Sequence, residues 1–144
     1  QQTAQRIAAF TFTFDEFIAR EIDQGNITKD DFTSEKRLIK LHGHCHQKAL
    51  SSLVPTKKML TLPENYQMHM IPSGCCGMAG SFGYEKDKYE VSMQIGELVR
   101  FPTVREQPDD VIIAAPSTSC RHQIKDGTRR IALHPAEILY DALK

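Results

Sequence analysis

The chain has 144 residues, of which 40% are hydrophobic and 25% charged, a size and balance that suit one globular domain with a real core. Formal net charge is zero with no basic block or stripe, so nothing points to nucleic acid or to an anionic membrane surface. No apolar run approaches the ~18 residues that a membrane span needs and no signal-peptide pattern is present, so a cytoplasmic location is expected and four cysteines favour metal or redox chemistry over two disulfides.

The chain begins at Gln1 without a methionine and enters a helix-compatible stretch over residues 1–9, which reads as a piece of a longer polypeptide. Thr13-Phe14-Asp15-Glu16 has the form of a capping box, Phe14, Phe17, Ile18 and Ile22 keep helical spacing, and Gly25-Asn26 supplies the stop. That helix is expected to be structural, with no chemistry of its own. Residues 26–35 are polar and turn-like, giving an N-terminal helical segment and connector over 1–35 and an α/β domain over 36–144. Arg37–His42 reads as a strand, and Gly43-His44-Cys45-His46 leads into a helix starting near Gln47 that Pro55 breaks into a second turn through Met59. Gln67–Ile71 is the second strand. It ends at Pro72 and a turn, Ser73-Gly74-Cys75-Cys76-Gly77-Met78-Ala79-Gly80-Ser81-Phe82-Gly83, whose glycines predict a sharp bend and a close approach to something. Adjacent cysteines lie only ~3.8 Å apart at Cα, below the usual disulfide range, so Cys75 and Cys76 are poor partners for each other. A helix is expected over Tyr84–Val99, and Val111–Ala115 is a third strand whose continuous apolar run suits burial on both faces. Pro116–Cys120 turns into a short helix through about Lys125, Arg130–Leu133 is the fourth strand, and His134-Pro135 opens a last helix over Ala136–Leu143.

Strands alternating with helices imply right-handed crossovers and a three-layer, mainly parallel sheet with helices on both faces, of Rossmann-like type. Such a sheet lines up the carboxyl ends of its strands along one ligand-binding edge. Cys45 follows the first strand, Cys75 and Cys76 the second, Cys120 the third and His134 the fourth. All four turns thus deliver a thiol or an imidazole to one edge, and the working expectation is a metal centre held there. Each cysteine also falls near an expected helix N-terminus, where the dipole and free N–H groups favour thiolate. Four thiolates match a cubane [4Fe-4S] cluster, whose negative charge Lys48, Arg121 and Lys125 would offset; two or three thiolates with a histidine match zinc.

Plainer readings stand beside these. Cys45 or Cys120 alone would be a small buried hydrophobe, and Cys75-Cys76 divides naturally into one ligand and one structural thiol. His42, His44 and His46 alternate, which on a strand puts them on one face, with one satisfied and two exposed as the plain outcome. His134 suits a helix cap as well as a contact to metal or substrate, and Arg121 suits charge compensation or an acidic partner. A thiol enzyme is a third class, although no Cys-x-x-Cys is present.

Three stretches, His44-Cys45-His46-Gln47-Lys48-Ala49-Leu50, Cys75-Cys76-Gly77-Met78-Ala79-Gly80-Ser81-Phe82-Gly83-Tyr84-Glu85 and Ser119-Cys120-Arg121, resemble the cysteine-rich CCG domain. That domain occurs in heterodisulfide reductase, in iron–sulfur subunits of glycolate oxidase type, and at the C-terminus of fused FAD-linked oxidases of the D-lactate dehydrogenase type. With the closing His134-Pro135-Ala136-Glu137-Ile138-Leu139, the likeness is greatest to the fused oxidases and covers roughly residues 36–144. The resemblance implies an electron-transfer domain with a [4Fe-4S] cluster on Cys45, Cys75, Cys76 and Cys120, and with His44, His46, Arg121 and His134 around it or near substrate. It implies FAD in an upstream flavin dehydrogenase domain of the same polypeptide that oxidises a 2-hydroxy acid, and an acceptor such as a quinone, reached from the cytoplasmic face of the inner membrane. The domain alone would have no complete activity. One departure stands out: the family's fullest motif ends in Cys-x-x-Cys, and this chain has Cys120-Arg121-His122-Gln123. Without the fifth thiolate, a cubane cluster, zinc and a thiol-redox domain that has lost its cluster all remain open in place of the noncubane cluster of heterodisulfide reductase.

Overall fold

The computed structural model describes all 144 residues. Two helices come first, α1 (Gln2–Ala9) and α2 (Phe14–Asp23). The capping box forms as expected: the Thr13 N–H donates to Glu16 Oε2 at 2.8 Å. Gly25, at φ +76°, turns the chain out of α2, and the Asn26 N–H returns to the Glu21 carbonyl at 2.9 Å. Strand β1 (Arg37–Leu41) leads to α3 (Cys45–Leu50) and α4 (Val54–Leu60), and β2 (Tyr66–Met70) leads to the double-cysteine turn. The turn is followed by α5 (Tyr89–Leu98), α6 (Arg100–Arg105), β3 (Ile112–Ala114), α7 (Thr118–Thr128), β4 (Ala132–Leu133) and α8 (Pro135–Asp141).

The four strands form one sheet in the order β2-β1-β3-β4, and every pairing is parallel. This is the expected α/β architecture, with β1 and β3 at its centre. The period-2 alternation of β1 explains how the layers divide. Ile39 and Leu41 point into one core with Ile18, Met59, Leu60, Ala114, Ile138 and Leu139, under α2, α4 and α8. Leu38 points the other way, to a core of Ile71, Met78, Val104, Ile113, Ala115, Ile124 and two cysteines, Cys76 and Cys120, under α6 and α7. The C-terminal end closes on residues 31–33: the Thr33 N–H donates to the Ala142 carbonyl at 2.8 Å, and Phe32 bridges Leu143.

One expected element is corrected. The single helix over Tyr84–Val99 is instead a 3-10 turn at Phe82–Tyr84, then α5, then α6. The break between the two α-helices falls at Val99, whose φ −144° and ψ −47° lie outside the helical well. What holds α6 in place is Phe101, fully buried against Gly96 of α5 and Gly127 of α7, where a Cβ would come within 2.4 and 2.3 Å of the ring. The third and fourth strands are also shorter than expected, since the sheet hydrogen bonding covers only Ile112–Ala114 and Ala132–Leu133.

Candidate metal centre

Because the strands are parallel, their carboxyl ends lie together, and the cysteines meet there. Cys45 is the first residue of α3, with His44 at its N-cap, and Cys120 lies in the first turn of α7. Cys75 and Cys76 occupy the turn after β2. No helix starts at that turn, so the expected dipole at these two thiols is absent. Backbone N–H groups take its place. Gly77, at φ +78°, turns its N–H to donate to Cys75 Sγ at 3.4 Å, and its missing Cβ would lie 2.9 Å from Ile95.

The four thiols form two neighbouring pairs. Cys45 and Cys75 are half-buried and exposed respectively, with their sulfurs 3.9 Å apart. Cys76 and Cys120 are both buried, and with a ring nitrogen of His42 their ligand atoms lie within 4.8 Å of one another. The Cys45–Cys75 pair is outside the group formed by His42, Cys76 and Cys120, and the peptide bond between Cys75 and Cys76 joins the two. The Cys75-Cys76 dipeptide therefore sends one thiol to each pair.

Electrostatics distinguish the four. The Cys76 thiol is held far below its ordinary value, chiefly by the Cys120 thiol beside it; burial opposes this, while the His42 ring, the Met78 N–H and the Arg100 charge support it. Cys120 is correspondingly pushed up, by Cys76 first and by burial second. The pair thus shares one negative charge, thiolate at Cys76 and proton at Cys120. Cys45 is raised by burial and then by Cys75, so a position at the start of α3 does not give it the depressed value expected from the dipole.

His42 was not among the expected site residues, yet it is the histidine that reaches the thiols. It follows β1 in the same parity as Leu38, so it points into the Cys76–Cys120 layer, where it is 1% exposed. Its Nδ1 lies 2.7 Å from Ser73 Oγ, and its Nε2 lies 3.4 Å from a guanidinium nitrogen of Arg100. Strand β1 ends at Leu41, so the three alternating histidines do not share a face. His44 occupies the N-cap position of α3 without a side-chain capping bond and His46 is exposed, their rings 6.1 Å apart. Together with His134, they line a cleft of about 530 Å³ with Asp15, Gln47 and Ser117, and none of the four cysteines lines it. His134 caps α8 by accepting from the Ala136 N–H at 3.1 Å. Asp15 of α2, a helix expected to carry no chemistry, forms one wall of this cleft. It is held there by Gln47 at 2.9 Å and by the Thr56 hydroxyl.

The cations also fall differently from expectation. Arg121 donates to the Ala115 and Pro116 carbonyls at 3.0 and 2.9 Å, closing the end of β3. Lys48 donates to the Ser73 carbonyl at 3.1 Å, and Lys125 is exposed. The cation that acts on Cys76 and Cys120 is Arg100, the first residue of α6. Gln123, at the position of the missing fifth thiolate, is buried and accepts from Arg100 while donating to Ser92.

The residues present fit a thiolate-bound metal group. The donors are soft thiolates with one neutral imidazole, the Gly77 and Met78 N–H groups turn toward sulfur, and the Ser117 side chain supports a charged Cys120.

Comparison with known proteins gives relatives among dehydrogenases. The chain is 29% identical over 102 residues to a subunit of the anaerobic glycerol-3-phosphate dehydrogenase of Escherichia coli (strain K12), an alignment covering 71% of this chain and 25% of that protein. It is 32% identical over 78 residues to D-2-hydroxyglutarate dehydrogenase of the same organism, covering 54% of the chain and 8% of the relative. With D-2-hydroxyglutarate dehydrogenase of Pseudomonas putida it is 36% identical over 67 residues, 46% of the chain and 6% of the relative. The chain thus spans a quarter or less of these relatives. No family model matches, and no solved structure matches.

Proposed function

We propose that this chain is the iron–sulfur electron-transfer domain of a flavin-linked 2-hydroxy-acid oxidoreductase, with a [4Fe-4S] cluster held by Cys45, Cys75, Cys76 and Cys120. The observation that carries the reading is the convergence of four thiols from three separate strand ends, the Cys45 and Cys75 sulfurs 3.9 Å apart and the Cys76 and Cys120 sulfurs within 4.8 Å of each other. The likeness to the CCG domain and to parts of two dehydrogenases supports it. When bound, the cluster supplies one-electron redox chemistry. The chain's part is to hold and insulate it. Cys120 releases its proton on binding, Gly77 and Met78 direct N–H groups at sulfur, and the core under α6 and α7 keeps water from the inner pair. In this reading the domain receives electrons from an FAD-bearing dehydrogenase domain of the same polypeptide and passes them to an acceptor such as a quinone, at the cytoplasmic face of the membrane.

The test is anaerobic loading of the chain with ferrous iron and sulfide. Broad visible absorption and about four iron and four sulfide per chain are expected, as a cubane cluster requires. Cys75→Ser and Cys120→Ser should each abolish loading while leaving the thermal transition in place. A colourless wild-type protein without sulfide would end this reading.

A second reading is a zinc-binding structural or regulatory module. The buried set of His42, Cys76 and Cys120 within 4.8 Å favours it, since two thiolates and one imidazole are three of the four donors of a familiar zinc site. Stoichiometric zinc without sulfide, lost in His42→Ala, would decide for it.

A further inference from the structure

Arg100 is 2% exposed, and a guanidinium is always charged. Burying an unpaired charge costs several kcal/mol, so such a group needs an anion nearby. No aspartate or glutamate is buried anywhere in the chain, and Arg100 takes part in none of the six ion pairs. Its neighbours are neutral: Gln123 accepts from one nitrogen, His42 Nε2 lies 3.4 Å from another, and Nε has no partner at all. The Phe101 ring, 5.1 Å away, offers a modest cation–π contact. His42 links Arg100 to the two thiols of this core: its Nε2 lies 3.4 Å from the guanidinium, and one of its ring nitrogens lies within 4.8 Å of the Cys76 and Cys120 sulfurs.

We propose that Arg100, oriented by Gln123, is the built-in counter-charge of the thiolate centre, a positioning residue that raises the electron affinity of the cluster bound there. The inference rests on the electron-transfer reading and deepens it. The sulfurs, not a carboxylate, complete the charge balance of this interior. Gln123 fixes the fork: it is clamped in turn by the Ser92 carbonyl at 2.7 Å and the Ser92 hydroxyl at 2.6 Å. Reduction adds a negative charge to the cluster, and a fixed positive charge beside it stabilises the reduced form.

The experiment loads wild type, Arg100→Met, Arg100→Lys and Gln123→Glu anaerobically with ferrous iron and sulfide. It reads iron and sulfide per chain and the midpoint potential by spectroelectrochemical titration. Arg100→Met removes the charge, and Gln123→Glu neutralises it in place with a side chain of the same size. Both should disfavour reduction by about tenfold, a fall of about 59 mV for one electron. Arg100→Lys should stay closer to wild type than Arg100→Met. If Arg100→Met fails to fold, Gln123→Glu carries the test. Loaded variants at the wild-type potential would overturn this inference alone. A wild-type chain that takes up no iron would overturn the electron-transfer reading and this inference with it.

Discussion

At the scale of single residues, His42 shows how a buried group sets a pH limit. The ring is buried with Nδ1 2.7 Å from Ser73 Oγ and Nε2 3.4 Å from the Arg100 guanidinium, which is always charged, a setting that disfavours a second positive charge. The ring is therefore neutral in the folded chain. Burial holds its pKa below the ordinary histidine value, with Arg100 adding to the effect and Cys76 opposing it. In the unfolded chain a histidine takes up a proton near pH 6.5. Between that pH and the lower folded value the unfolded state binds more protons, so stability falls as pH falls through this window. Urea midpoints of the metal-free chain from pH 7.5 to pH 5 should show that decline, and His42→Gln should make it shallower without abolishing it, because Cys76 stays thiolate in the folded chain while an unfolded cysteine holds its proton. Parallel profiles would move the cause elsewhere, for instance to His134, which burial and Arg121 also hold below the ordinary value. The sequence made the cysteines legible because their spacing follows the strand ends. It made His42 less so, since three alternating histidines looked equivalent until the end of β1 at Leu41 separated the first from the others. Parity with Leu38 was the signal available: it places His42 on the α6–α7 side.

At the scale of elements, the missed helix and the missed charge are the same omission. Helix α6 is six residues long with proline at its third position, too short and too weak in propensity to announce itself. Its stability comes from tertiary packing, with Phe101 seated against the backbones of α5 and α7 at Gly96 and Gly127. Local patterning carries no record of that partner. Strands β1 and β3 were readable for the opposite reason, because apolar runs and alternation are local properties. If Phe101 is the pin, Phe101→Ala should cost about 3–5 kcal/mol in denaturant unfolding, the range for a large buried aromatic. Gly127→Ala, which pushes a methyl group into the ring, should cost about 1–3 kcal/mol as overpacking. A loss well under 1 kcal/mol in Phe101→Ala would show that α6 is held by something else. Because Arg100 precedes Phe101, loosening this pin should also weaken metal loading, whereas an equally costly change in the other core should not.

At the scale of the whole molecule, the sheet separates two interiors with different stakes in the metal. The core under α2, α4 and α8 contains no cysteine, and its residues run from Ile18 to Ala142. The core under α6 and α7 counts Cys76, Met78 and Cys120 among its own members. A ligand that binds only the folded chain stabilises whatever must be ordered to bind it. Here that is the second core and the turn through Gly77, whose conformation depends on what its N–H groups face. Anaerobic loading should therefore slow amide hydrogen exchange mainly across residues 74–84 and 118–124. Exchange in α2, α4 and α8 should change little, as expected where opening is local rather than global. Uniform slowing in all helices would mean that the two cores open as one unit. The central strands argue against that uniformity only in part, because Ile39 and Leu41 of β1 serve the first core while Leu38 and His42 serve the second. Amides of β1 are thus the place to look for coupling: protection there that rises with loading would measure how much of the metal's stabilisation crosses the sheet.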